Sequence, residues 1–213
     1  MSTALLLVNL GTPRSTSTED VRTYLREFLG DPDVISLPAP LRWLLLEGVI
    51  LRTRPKKSAE AYKKIWTDRG SPLMFHSLDL TAQVRKRLSS STEVALAMRY
   101  GDPSIASVLK TLQDKNVDRI CLFPLYPQYA RASTKTVVDK VKLEMKRLGY
   151  SAAVDVVPAF FDDDAFVDAH IVRIAPEGSG RLVAVPAQDN RHVRAGMLLA
   201  EVEPYNSEAQ KAQ

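Results

Sequence analysis

The chain has 213 residues, 45% of them hydrophobic and 25% charged, enough for one sizeable core with a small module beside it. Its net charge of +4, from 29 Lys+Arg against 25 Asp+Glu spread without a long basic run, suits anionic small molecules or a membrane surface and gives no argument for nucleic acid. The single cysteine, Cys121, excludes an internal disulfide framework, and no apolar run has the length of an export signal or a membrane span, so a cytoplasmic protein is expected.

The first element, "ALLLVNLG", is a continuous apolar run closed by glycine, the pattern of a strand buried on both faces of a parallel sheet. "TSTEDVRTYLREFLG" follows, with Thr16 and Glu19 at capping-box spacing and Val21, Tyr24, Leu25 and Phe28 on one helical face. Three helical stretches are then predicted, around residues 39–51, 57–67 and 77–88. An insertion of that length in a sheet domain reads as a lid or pocket wall. "EVALAMRYG" is a second strand, after which Asp102 caps a helix with Pro103 in its first turn and Ile105, Val108, Leu109 and Leu112 turned inward. "DRICLFPLYP" is a third. Ser133 or Thr134 then caps a helix that buries Val137, Val138, Val141, Met145 and Leu148 and closes at Gly149, before "AAVDVVP" forms a fourth strand.

Alternation of this kind predicts an α/β fold, a doubly wound parallel sheet whose ligands sit beyond the carboxyl ends of the strands. Those ends are "NLGTPRS", "RYGDPS", "LYPQYARAST" and "PAFFDDD". The first carries one glycine rather than a phosphate-cradling set, so it reads as a tight turn fixed by Pro13. The third crowds Tyr126, Tyr129 and hydroxyl groups around Arg131. Such a loop suits a flat hydrophobic ligand bearing carboxylates, and it equally suits two tyrosines packing on the next helix. Arg52, Arg54, Lys56 and Lys57 form a short basic run whose commoner origin is a solvated face; the sharper reading pairs one arginine with a ligand carboxylate. His76, His170 and His192 lie far apart and off metal-ligand spacing with Cys121, so no metal site is expected. "FFDDD" reads as an acidic helix start in preference to a hard-cation site.

The segments "LLLVNLGTP", "VRTYLREFLGDPDVISLP", "LRWLLLEGVILRTRPKKSAEAYKKIW", "GSPL", "AMRYGDPSI" and "LFPLYPQY" resemble, in order and spacing, the amino-terminal half of ferrochelatase over about residues 4–165. The resemblance implies one of two similar doubly wound domains that enclose a porphyrin cleft, and the insertion of ferrous iron into protoporphyrin or a related porphyrin in haem biosynthesis. Iron and porphyrin enter as substrates, and no permanently bound cofactor is implied. It further implies that Leu10 lies against the macrocycle, that Arg54, Tyr62 and Ser71 hold the porphyrin and its propionates, and that Arg99, Tyr126 and Tyr129 line the same cleft. No position matches the family's catalytic histidine or glutamate, which belong to its second domain; His170 is no substitute. Ala130, Arg131 and Lys135 depart from the small residues that many relatives carry there.

From Val172 the pattern turns to short strands with glycine corners at Gly178, Gly180 and Gly196. This β-rich tail, in a division at 1–165 and 166–213, resembles the lipoyl-like half-motif of periplasmic adaptor (membrane fusion) proteins and is incomplete as a barrel. The sequence thus carries three readings. The first is a ferrochelatase-family protein truncated before its catalytic pair, the second a porphyrin-holding remnant in a mosaic fusion, and the third an adaptor-like export component. Porphyrin, a peripheral membrane contact and self-association through an exposed cleft face are the expected partners.

Overall fold

The computed structural model describes residues 2–161 together with the backbone of 180–184 and 201–204. Two compact units divide the chain, Met1–Phe166 and Val167–Gln213.

The first unit is built on a four-stranded, wholly parallel sheet in the order β2-β1-β3-β4. The strands are β1 (Thr3–Gly11), β2 (Thr92–Tyr100), β3 (Arg119–Pro124) and β4 (Ala153–Val156). β1 is central because its apolar run serves both faces. Ala4, Leu6 and Val8 are buried against α5 (Ile105–Asp114) and α6 (Thr136–Leu148), and Leu7 packs with Val94, Leu96 and Met98 under α4 (Pro72–Arg87). The chain leaves β1 toward β2 on one side and returns to β3 on the other. That reversal sits between β1 and β3, where doubly wound sheets open a crevice at their carboxyl ends. A third cluster closes the top of the sheet, where Val21, Tyr24 and Leu25 of α1 (Thr18–Gly30) meet Leu46, Leu51, Ala59 and Tyr100.

The insertion after α1 differs from its predicted form. One helical run covers α2 (Ala39–Leu45), a π turn (Leu46–Ile50) and α3 (Leu51–Ile65) in place of separate helices at 39–51 and 57–67. The buried residues Leu46, Leu51, Pro55 and Ala59 explain it. A spacing of five between Leu46 and Leu51 falls off an α-helical face, and one π turn, with Leu51 N–H bonding the Leu46 carbonyl, restores it. The ring of Pro55 comes one turn after Leu51. The next helix starts at Pro72 instead of 77, because proline is favoured at the first helical position.

Three predicted caps also move. Ser17, not Thr16, caps α1, its Oγ accepting from Asp20 N–H at 3.1 Å, while Ser15 Oγ donates to the Asp20 carboxylate. Ser104, not Asp102, caps α5, because the Asp102 carboxylate is drawn to Arg14 at 2.8 Å. Neither Ser133 nor Thr134 caps α6: a π turn (Arg131–Lys135) runs straight into the helix, and Thr134 is buried. Gly149 closes α6 in the left-handed conformation at φ 61°, as patterned.

In the second unit, β5 (Gly180–Ala184) and β6 (Glu201–Pro204) pair antiparallel, with Arg181 opposite Glu203 and Leu182 opposite Val202. Apart from the backbone of β5 and β6, the adaptor-like segment lies outside the described residues, as do the helix reading of "FFDDD" beyond Phe161, His170 and His192. Among the described residues, no helix is long and apolar enough to cross a membrane.

Gly11 ends β1 at φ 109°, and a Cβ there would stand 1.8 Å from the Tyr100 carbonyl oxygen. Only glycine lets the two strand ends approach so closely. Gly11→Ala is therefore expected to lower stability by at least about 2 kcal/mol, measured by urea unfolding; an unchanged midpoint would contradict the close approach.

Candidate functional site at the strand ends

Leu10 is the last apolar side chain of β1, half-buried against the cluster of Tyr24, Leu51 and Tyr100. The turn after it brings Thr12 to the start of α4, where Thr12 Oγ1 donates to Ser71 Oγ at 2.8 Å in a buried contact. This bond accounts for a detail of α4: Ser71 is its N-cap residue yet makes no side-chain cap bond. Tyr62, on α3, joins the same wall edge-on to Tyr24 with ring centroids 6.5 Å apart, and Trp66 stands edge-on to Tyr62 at 6.2 Å. The rings continue through Tyr24 and Phe28 to Tyr100, with Phe28 and Tyr100 centroids 5.1 Å apart. Leu10, Tyr62 and Ser71, nominated far apart in sequence, are thus gathered around one strand end.

The nominated cations part company. Arg54 is exposed on α3 with no ion pair among the described residues. Arg99 turns inward. Its Nε donates to Thr136 Oγ1 at 2.7 Å and to the Thr136 carbonyl at 3.1 Å, its Nη2 donates to Asp31, and its Cζ lies 4.3 Å from the Tyr100 ring centre. Asp31 also accepts from Tyr100 OH at 3.0 Å, from Thr136 Oγ1 at 2.6 Å and from Asp33 N–H at 2.8 Å. Its side chain is 6% exposed and that of Arg99 11%. This network was not legible from patterning, although one signal was present. A carboxylate just past the end of α1 faces the unfavourable end of the helix dipole, and so calls for a dedicated partner.

Burial opposes charge on Asp31, but the hydrogen bonds from Thr136, Asp33 N–H and Tyr100, with the Arg99 charge, outweigh it and hold its pKa below the usual 3.8. Burial pushes Tyr100 up to about 12 and raises Tyr24 and Tyr62 as well, so this wall stays neutral at physiological pH.

Tyr126 packs against the core under α6, and its buried hydroxyl has no hydrogen-bond partner among the described residues. Tyr129, three residues on, is 63% exposed. The departing residues Arg131 and Lys135 both pair with Asp33, at 3.1 and 2.8 Å, which fixes the π turn to the loop after α1. A separate apolar cavity of about 510 Å³ lies over β1 and β3 beneath α4, lined by Leu5, Leu7, Leu80, Phe123 and Phe160, and none of the nominated residues borders it. His76 is exposed at its rim, tilted against Phe75. Among the described residues, no group of three or more His, Cys, Asp or Glu is placed to hold a metal ion.

Comparison with known proteins places the chain in one family. A family model described as ferrochelatase matches residues 2–183, beyond the stretch of about residues 4–165 that carries the sequence resemblance. The chain is 41% identical over 176 residues to the ferrochelatase of Teredinibacter turnerae, an alignment covering 81% of this chain and 48% of that protein. It is 42% identical over 168 residues to ferrochelatase 2 of Shewanella oneidensis, covering 78% and 51%, and 45% identical over 174 residues to the ferrochelatase of Bordetella pertussis, covering 80% and 48%. The chain spans about half the length of the curated relatives it matches.

The Asp31 network makes stability pH-dependent in a defined sense. Its folded pKa lies below the unfolded value of 3.8, so the contribution is fully present above about that pH and lost as pH falls through the folded value. Asp31→Ala, which leaves Arg99 buried and uncompensated, is expected to cost about 3 kcal/mol at pH 7. Urea midpoints measured from pH 7 to pH 3 should show a shallower acid loss in the variant; parallel curves would contradict the assignment.

Proposed function

We propose, from the premise that the chain belongs to the ferrochelatase family, that it serves porphyrin metallation and supplies the porphyrin-holding wall for it. The observation that carries this reading is the gathering of Leu10, Tyr62 and Ser71 with Tyr24 and Tyr100 at the carboxyl end of β1. Half-exposed Leu10 and Tyr62, seated on the buried rings of Tyr24 and Tyr100, offer an apolar, uncharged surface that suits a flat macrocycle, and exposed Arg54, about two turns before Tyr62 on α3, suits a propionate. Arg99, Tyr126 and Tyr129 would complete the wall, with porphyrin and ferrous iron as substrates and no resident cofactor. Insertion requires a base to take the pyrrole protons, and no position here matches the family's histidine or glutamate. Loss of such a base commonly costs about two to four orders of magnitude in rate.

The same reading extends to a membrane surface. Leu41 (56%), Trp43 (64%), Leu44 (60%) and Val49 (54%) are exposed along α2 and its π turn, and the basic run Arg52, Arg54, Lys56 and Lys57 continues on α3. Apolar residues flanked by cations suit a peripheral contact with anionic lipid, worth roughly 1 kcal/mol per cation near the surface. The tail's adaptor-like resemblance supports a mosaic origin, which a continuous ferrochelatase reading in the flanking DNA would sink.

Titration of the protein with protoporphyrin, followed by Soret absorbance with ferrous iron or zinc then added, tests the first claim. Saturable binding without metal insertion at a catalytic rate is expected; no binding would overturn the porphyrin reading. For the membrane contact, cosedimentation with phosphatidylcholine vesicles containing phosphatidylserine should fall on Trp43→Ser and Leu44→Ser together. Equal sedimentation of parent and variant would remove the assignment.

A further inference from the structure

α4 leaves the sheet face beneath it half covered. Among the described residues, α5 and α6 pack on the opposite face, and α4 is the one helix that crosses this face, seated on Leu7, Val94, Leu96 and Met98. Beside it lies the apolar cavity of about 510 Å³ over β1 and β3. Three contacts fix its axis: Ser71 meets Thr12, Ser77 meets Asn9, and Arg85 reaches the carbonyl of Val94, which lies beside Leu5 in the sheet. α4 therefore runs antiparallel to β1, and the space between them is a trough. Leu73 and Val84 both line it, and the helix between them spans about 16 Å.

The trough is polar at one end only. Toward Leu5, Leu80 and Val84 its lining is aliphatic, whereas Asn9, His76 and Ser77 gather at the carboxyl end of β1. There Asn9 donates one Nδ2 hydrogen to Ser77 Oγ at 3.0 Å and accepts the Leu10 N–H on Oδ1 at 2.8 Å, and Ser77 donates on to the Leu73 carbonyl at 2.7 Å. The second Nδ2 hydrogen of Asn9 and the imidazole of exposed His76 have no hydrogen-bond partner among the described residues. No acid among the described residues lines the trough, and Asp79, next to it on α4, is held by Arg69 at 2.7 Å. An apolar groove that ends in unspent donors without an opposing carboxylate is complementary to an apolar tail with an acidic head.

We propose that the trough binds a free, single-chain fatty acid of about ten to fourteen carbons, its carboxylate at His76 and Asn9 and its tail running past Leu7 and Leu80 toward Leu5 and Val84. The length follows from the helix, since a zigzag of C–C bonds of about 1.5 Å covers the trough in roughly a dozen carbons. A two-chain phospholipid would leave its second tail in water. The inference is independent of the porphyrin reading, whose wall lies at the other side of Ser71.

Isothermal titration calorimetry of the full chain with octanoate, decanoate, dodecanoate and hexadecanoate, each below its micelle concentration, tests it. Affinity should rise about two- to fourfold per added methylene as far as dodecanoate and level off by hexadecanoate. Dodecylamine should bind more weakly than dodecanoate, and His76→Ala should weaken dodecanoate about two- to tenfold without weakening the amine. Leu80→Glu, at an exposed position, should keep its urea midpoint and lower dodecanoate affinity at least about tenfold, while Leu44→Ser on the apolar face of α2 should leave it unchanged. Where Leu80→Glu does not fold, His76→Ala and the chain-length series decide. No saturable heat with dodecanoate, affinity indifferent to chain length, a preference for the amine, or loss on Leu44→Ser in place of Leu80→Glu overturns the inference. So does a dimer in analytical ultracentrifugation that Leu80→Glu dissociates, since a second copy would then fill the trough, and so does competition between dodecanoate and protoporphyrin.

Discussion

A buried carboxylate is the constraint on which the strand-end architecture depends. Asp31 receives bonds from the end of β2 through Arg99 and Tyr100, and from the start of α6 through Thr136. It sits where α1 ends, so three elements remote in sequence meet on one side chain. An isolated charge there would be costly. Three donors and a guanidinium make it a fixed point, and the same groups hold its pKa below the usual 3.8. Gly11 complements it from the other strand by letting β1 and β2 close until backbone meets backbone.

The sheet was legible because a strand buried on both faces leaves a strong mark, a run of apolar residues in β1 with no polar alternation. The helices α5 and α6 were legible for the matching reason, since each turns one apolar stripe to the sheet. What escaped was decided by long-range partners. Asp102 has the chemistry of a cap but pairs with Arg14, and the cap passes to Ser104. Ser71 has the chemistry of a cap too, and instead meets Thr12 across the core. The π turn in the insertion follows from the five-residue step between Leu46 and Leu51, which local periodicity cannot distinguish from a break between helices.

The candidate site was half visible on similar grounds. Leu10, Tyr62 and Ser71 came from the family resemblance, and the fold gathers them at the sheet's carboxyl end. Arg54 and Arg99 looked alike as cations in sequence; burial separates them, because charge type says nothing about which arginine is already paired. Arg131 and Lys135 depart from the small residues that many relatives carry there, and both pair with Asp33. The apolar cavity beneath α4 had no sequence signature of its own, since its lining alternates with the core residues of β1. It offers a macrocycle a second apolar surface, with no arginine on its lining.

Hydrogen–deuterium exchange with and without protoporphyrin decides between these two surfaces most directly. The strand-end wall predicts protection at residues 10–12, along α3 around Tyr62 and Trp66, and at 71–73, with the middle of β3 unchanged. Protection confined to β3 and the central turns of α4, around Phe123 and Leu80, would place the porphyrin in the other cavity and contradict the account.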